Sequence, residues 1–201
     1  MRLMTVPRGT RPLAAVFGVA ATALLTTGCG LTDKPYAPTP PSESNKALVK
    51  LLDLPSLEDT QRQVQAAVDQ IVSAASSLMP GIAWAPKHGT TSAGCPPPYE
   101  GLGGELMYLP DQVSTDIPVS EQDWAKIYQI AHDTASKLGT TGVEINKNAP
   151  GNHDVRFFND TGTAIILSYQ GNLVISGDTG CRLPKDKSRS AAPSPSTTGH
   201  P

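Results

Sequence analysis

The chain has 201 residues, 38% hydrophobic and only 5% aromatic, and its 19 prolines and 18 glycines make up nearly a fifth of it, above ordinary usage. That is apolar sequence enough for one modest domain with irregular ends. Sixteen basic against 18 acidic residues give a net charge of -2, which lacks the broad cationic face that nucleic-acid binding requires.

The first 28 residues hold Arg2, Arg8 and Arg11 and no acid, so the remainder is more acidic than the whole. Residues 13–25, LAAVFGVAATALL, form an uncharged run too short for a helix across a hydrocarbon core of about 30 Å, which suits an export signal instead. Thr26, Thr27, Gly28 and Cys29 follow it. A small residue before a cysteine resembles the bacterial lipoprotein signal, although Thr26 stands where such signals usually carry leucine. The resemblance implies that the Cys29 thiol receives a diacylglycerol and that cleavage after Gly28 makes Cys29 the new N-terminus. Two or three acyl chains anchor stably where one does not. The competing reading is ordinary secretory cleavage near Gly28, which leaves Cys29 as an odd thiol. Residues 29–46 read as the lipidated cysteine and a proline-rich tether, and residues 47–184 as the folded domain.

A short helical piece is expected at 45–52. A longer helix is expected over 56–79, where Ser56 can cap, Glu58 and Asp59 suit the positive helix end, and Val64, Val68, Ile71, Ala75 and Leu78 line one stripe. Strands are expected at 82–85 and 105–109, with a long Gly/Ser/Pro-rich loop between them. A second main helix begins at Ser120, with Asp123 in a capping-box-like position, and ends at Gly139. Its buried face is Trp124, Ile127, Tyr128, Ala131, Ala135 and Leu138. Beyond it the period changes to two, and strands are expected at 143–146, 155–158, 163–169 and 173–176. Val155, Phe157, Ile165, Leu167, Leu173 and Ile175 can then share a face against the helices. The predicted architecture is α+β, an antiparallel sheet with two main helices packed on one face. Residues 185–201 read as a disordered tail.

With Cys29 taken by lipid, Cys95 and Cys181 remain, and in an oxidising exported compartment an even remainder predicts one disulfide. Buried free thiols are the alternative. Metal binding is the poorer reading, because neither cysteine lies in a CxxC or near a histidine, so no metal ligands are expected.

The segments 54–60 (LPSLEDT), 80–84 (PGIAW), 153–158 (HDVRFF), Gly162-Thr163 and 175–184 (ISGDTGCRLP), together with Cys95, resemble the LppA family of mycobacterial lipoproteins. The resemblance runs in order over residues 50–184. It implies a lipid-anchored exported domain of unknown activity and supplies no catalytic residues.

Chemistry needs convergent groups, and His88, His132, His153 and His200 do not cluster in the sequence. Adjacent His132-Asp133 and His153-Asp154 should diverge on helix and strand respectively. His153 is a candidate ligand-binding residue, or one that orders a loop by bonding to the Cys181 segment. Arg156, alternating with Val155 and Phe157, must face away from the buried side and is a candidate to receive an anion or to pair with Asp178. Trp84, Trp124, Tyr99 and Tyr108 read as core packing ahead of a cleft lining, and the glycines of 101–104 as a turn. No GxSxG, HExxH, Walker or dinucleotide motif appears, so no cofactor is expected. The sequence therefore points to a non-enzymatic, membrane-anchored envelope module binding a protein, lipid or cell-wall ligand. An envelope-polymer hydrolase or transferase, and a purely structural or antigenic surface protein, are the alternatives.

Overall fold

A computed structural model describes residues 37–189. The export signal, Cys29, the first part of the expected tether and residues 190–201 lie outside the described residues. Helix α1 (Pro41–Asp53) and the long α2 (Leu57–Leu78) come first. Four short strands follow: β1 (Trp84–Lys87), β2 (Thr91–Gly94), β3 (Glu105–Tyr108) and β4 (Asp111–Ser114). Helix α3 (Glu121–Ser136) leads into an antiparallel meander of β5 (Gly142–Ala149), β6 (Asn152–Phe158), β7 (Thr163–Gln170) and β8 (Asn172–Thr179). The sheet order is β1-β4-β8-β7-β6-β5, with β2 paired to β3 and β3 touching β8 where Tyr108 faces Asp178.

The two main helices start where their caps dictate. The Ser56 hydroxyl accepts from the Asp59 amide and donates to the Asp59 carboxylate, and Ser120 and Asp123 repeat the exchange at α3. The α2 stripe of Val64, Val68, Ile71 and Ala75 is fully buried. It packs with Trp124, Ile127, Ala131 and Ala135 of α3 onto Val155, Phe157, Ile165, Leu167, Leu173 and Ile175 of the sheet. Both helices thus cover one face, as the periodicities predict. Trp84 packs against this core with its Nε1 donating to Ser76. Tyr99 is also buried, whereas Tyr108 is 44% exposed and does not join the core.

A second, smaller cluster surrounds the disulfide between Cys95 and Cys181, whose Cα atoms are 5.6 Å apart. Ala47 and Leu51 of α1 pack there with Tyr99 and Leu183. Helix α1 begins at Pro41, inside the stretch expected to be tether and four residues before the expected helical piece. A proline is compatible with the first helical turn, where no intrahelical partner awaits its missing N–H. Three further expectations are corrected. The loop before Cys95 contains β2, whose four residues are all exposed and carry no apolar alternation. Pro110 divides one run along β8 into β3 and β4, because it offers no amide to the ladder. The expected tail begins with a short 3₁₀ turn, Lys185–Lys187, and Ser188 is buried. No helix among the described residues is long and apolar enough to cross a membrane.

Candidate functional site

After β8 the chain turns through Gly180, at φ +64°, and Cys181 is held by its disulfide. Arg182 then exchanges backbone hydrogen bonds with Glu105, and the Leu57 amide at the start of α2 donates to the Leu183 carbonyl. These ties aim the Arg182 side chain between α2 and the β6–β7 hairpin, where the residue is only 3% exposed.

Its guanidinium is received by hydroxyls. Nε donates to Thr60 Oγ1 at 3.2 Å, Nη1 to Thr161 Oγ1 at 2.9 Å and to the Cys181 carbonyl at 2.7 Å, and Nη2 to Thr163 Oγ1 at 2.5 Å. Each threonine passes its own hydrogen onward: Thr60 to the Pro55 carbonyl, Thr161 to Asn159 Oδ1, and Thr163 to the Thr179 carbonyl. The network is directional, and among the described residues no carboxylate belongs to it. Burial pulls Arg182 down to about 10, opposed by Tyr99 and Asp160, so it stays charged at neutral pH. A buried charge with no carboxylate bonded to it is unusual, because desolvation is costly unless hydrogen bonds or a counter-charge replace water.

Beside this arginine lies a pocket of about 260 Å³ that Lys50, Thr60, Gln63, Asp160, Thr161 and Arg182 help to line. Lys50 and Asp160 form an ion pair there, with side chains 40% and 75% exposed. Sequence reasoning missed this site. Its signal was a cation directly after Cys181, within a segment that carries the family resemblance.

The predicted site residues lie elsewhere. Arg156 does face away from Val155 and Phe157, and its guanidinium carbon sits 5.2 Å from the Phe158 ring centroid. It shares a concavity of about 180 Å³ with Tyr108, Asp178 and Gly180. Arg156 and Asp178 stop short of ion-pair contact. Burial pushes Asp178 up to about 6, Arg156 draws it back, and Asp111 adds to the rise.

His153 does not bond to the Cys181 segment. It is 4% exposed, stacks on Trp124 with centroids 4.4 Å apart, and presents Nε2 to Glu121 Oε2 at 3.0 Å and Oε1 at 3.2 Å. Strand alternation explains the correction: His153 shares the inner face with Val155, toward the start of α3, while Asp154 points outward to Asn146. His153 Nδ1 is buried without a partner, and no serine, threonine or cysteine side chain among the described residues bonds to this imidazole. A base with an orienting carboxylate is present, without a nucleophile bonded to it. His132 and Asp133, expected to diverge, do meet, with Nδ1 3.1 Å from Oδ1 on the exposed side of α3. Among the described residues, no group of three or more His, Cys, Asp or Glu side chains gathers to hold a metal.

The family model described as LppA, a lipoprotein confined to pathogenic Mycobacterium, matches residues 32–185. Among solved structures, this fold is similar to LppA from Mycobacterium tuberculosis, at 14% identity and a TM-score of 0.58, covering 73% of this chain and 89% of that one. A DUF4853 family protein from Actinomyces odontolyticus matches at 12% identity and a TM-score of 0.44, over 66% of this chain and 71% of that one. At such identity the first likeness concerns the fold alone. No curated protein matches the chain.

Proposed function

The chain belongs to the LppA family of lipoproteins, and from that premise we propose that it is an exported, membrane-anchored, non-enzymatic module that binds a ligand in the cell envelope. In this reading acyl chains on Cys29 hold the protein at the extracytoplasmic face of the cell membrane, and residues 30–40 space the domain from the bilayer. The Arg182 pocket is the binding site, with Arg156 and His153 outside it.

The observation that carries this reading is the charge of Arg182, kept in the interior on neutral partners beside an open pocket. A pocket wall already fixed by these hydrogen bonds is suited to receiving a ligand, because little ordering remains to be done when it arrives. The same groups are poorly suited to turnover, since each threonine hydrogen is already directed to an acceptor within the protein.

The test has two parts. The native polypeptide should begin at Cys29, carry acyl mass and partition with membranes, and Cys29→Ala should abolish the acylation and weaken membrane retention. A native chain beginning at Met1, or without acyl mass, overturns the anchor. Turnover of ester, peptide or glycan substrates by the purified protein overturns the non-enzymatic part.

A further inference from the structure

We propose that the Arg182 pocket is an oxyanion site whose ligand is a phosphate group bearing one negative charge, as in a phosphodiester. This rests on the reading of that pocket as the binding site. Three observations converge on it.

The first is charge. Arg182 and Lys50 are positive and Asp160 is negative, so the charged groups at the pocket sum to one uncompensated positive charge. The Lys50–Asp160 pair sits at the exposed side and is available to open, while Arg182 is fixed at depth. A singly charged anion would neutralise the site, whereas a dianion would leave a buried excess of negative charge.

The second is the state of the guanidinium. Arg182 has five N–H donors, and the protein takes four of them. Carboxylates and phosphates both bind arginine best through two parallel N–H bonds. With one Nη2 hydrogen uncommitted, that fork is not available. A tetrahedral oxyanion instead accepts single bonds from several directions. It can take one from Arg182, one from the Lys50 ammonium and one from the Gln63 amide.

The third is shape. The pocket, about 260 Å³, has room for a phosphate group and the first atoms of its substituents. The threonines that line it are held by the Arg182 network, so the cavity is built before a ligand enters.

The test uses the full mature chain in non-ionic detergent, followed by NMR of the Arg182 Nε–H and the Thr161 and Thr163 amides. The probes are glycerophosphoglycerol, inorganic phosphate, acetate, and phosphatidylglycerol incorporated into the detergent micelles. Glycerophosphoglycerol should shift these signals saturably, and acetate should bind at least about tenfold more weakly. A response to soluble phosphodiester identifies a free ligand, and a response to the micellar phosphatidylglycerol alone identifies a lipid headgroup; either supports the site.

Two rim variants keep the test independent of folding, because Lys50 and Asp160 are not core residues. Lys50→Glu should abolish the response, and Asp160→Asn, which frees Lys50, should tighten it by about tenfold. Equal binding of acetate and glycerophosphoglycerol overturns the phosphate assignment and leaves the pocket as a binding site. Unchanged affinity in Lys50→Glu also overturns that assignment. If no probe, acetate included, moves these signals in a chain whose spectrum is otherwise native, the pocket is not a binding site and both readings fall.

Discussion

Nε2 of His153 on β6 lies 3.0 Å from Oε2 of Glu121 in the first turn of α3, joining residues 32 positions apart across the layers. The Gly151 amide, in the hairpin between β5 and β6, donates to Oε1 of the same carboxylate at 2.9 Å. The Gly151 bond first, and His153 second, hold Glu121 below the ordinary value of 4.5. A carboxyl with a depressed folded value contributes stability above its unfolded value and loses that contribution as pH falls through the folded one. The wild-type melting temperature should therefore drop as pH is lowered from about 5 to 3, and Glu121→Gln should show a shallower fall over that window. Thermal melts across the acid range decide it; parallel curves for the two proteins would show that this contact contributes nothing.

Asp178 has the opposite sign. Burial raises it from 3.8 to about 6, so folding favours its neutral form, and the favourable term present below the unfolded value disappears as pH rises through 6. Asp178→Asn should be close to neutral at acid pH and should stabilise at pH 7 by about 1 kcal/mol, well below the full value of the shift because solvent screens a partly exposed group. Removing Arg156 tests the predicted pairing of these two residues by another route. Arg156 lowers Asp178 across the concavity, so Arg156→Gln should raise the Asp178 titration midpoint measured by carboxyl carbon NMR. An unmoved midpoint would mean that the two residues share a concavity without electrostatic contact.

The elements that were legible in the sequence are those whose apolar spacing repeats and whose ends carry caps. Ser56 and the Val64, Val68, Ile71, Ala75 series define α2, and the alternation around Val155 and Phe157 defines the meander. What was hidden lacks these signals. Strand β2 is exposed throughout, β4 begins with polar Asp111 and Gln112 directly after Pro110, and α1 opens with a proline that reads as tether. The site was harder still. Thr60, Thr161, Thr163 and Arg182 are ordinary surface residue types, and only the Cys181 turn, which aims Arg182 back under α2, makes them one network. Local periodicity carries no information about such convergence. His153 shows the same limit: its inward face follows from alternation, but its partner Glu121 comes from another element.

The disulfide closes a separation of 86 residues and places Cys181 among Leu51, Tyr99 and Leu183. The chain-entropy model gives about 4 to 5 kcal/mol for a loop of that length, and measured bridges commonly deliver less. The Cys95→Ala, Cys181→Ala double variant should lose about 2 to 4 kcal/mol in urea unfolding, with a lower midpoint. Because Arg182 follows Cys181 directly, the Arg182 Nε–H should also exchange faster with solvent in that variant. Unchanged stability would show that packing in the small cluster is sufficient without the bridge.

Gly180 offers the sharpest test of how the arginine is positioned. At φ +64°, a Cβ there would lie 2.3 Å from the Thr163 nitrogen, 2.4 Å from the Thr161 carbonyl oxygen and 2.6 Å from the Gly162 carbonyl carbon. All three are backbone atoms, so no rotamer change relieves the clash and the β6–β7 hairpin must move. That hairpin supplies two of the three hydroxyls that hold Arg182. Gly180→Ala should cost about 3 kcal/mol or more, combining left-handed strain with overpacking. Gly151 is the control, since at φ +71° its added Cβ would meet nothing within 4 Å. Gly151→Ala should cost only the left-handed strain, about 1 to 2 kcal/mol, and leave the Arg182 signals in place. Urea unfolding of both variants, with the Arg182 Nε–H resonance followed in each, checks the difference. Equal losses would show that the close approach at Gly180 relaxes without cost and that the hairpin does not depend on it.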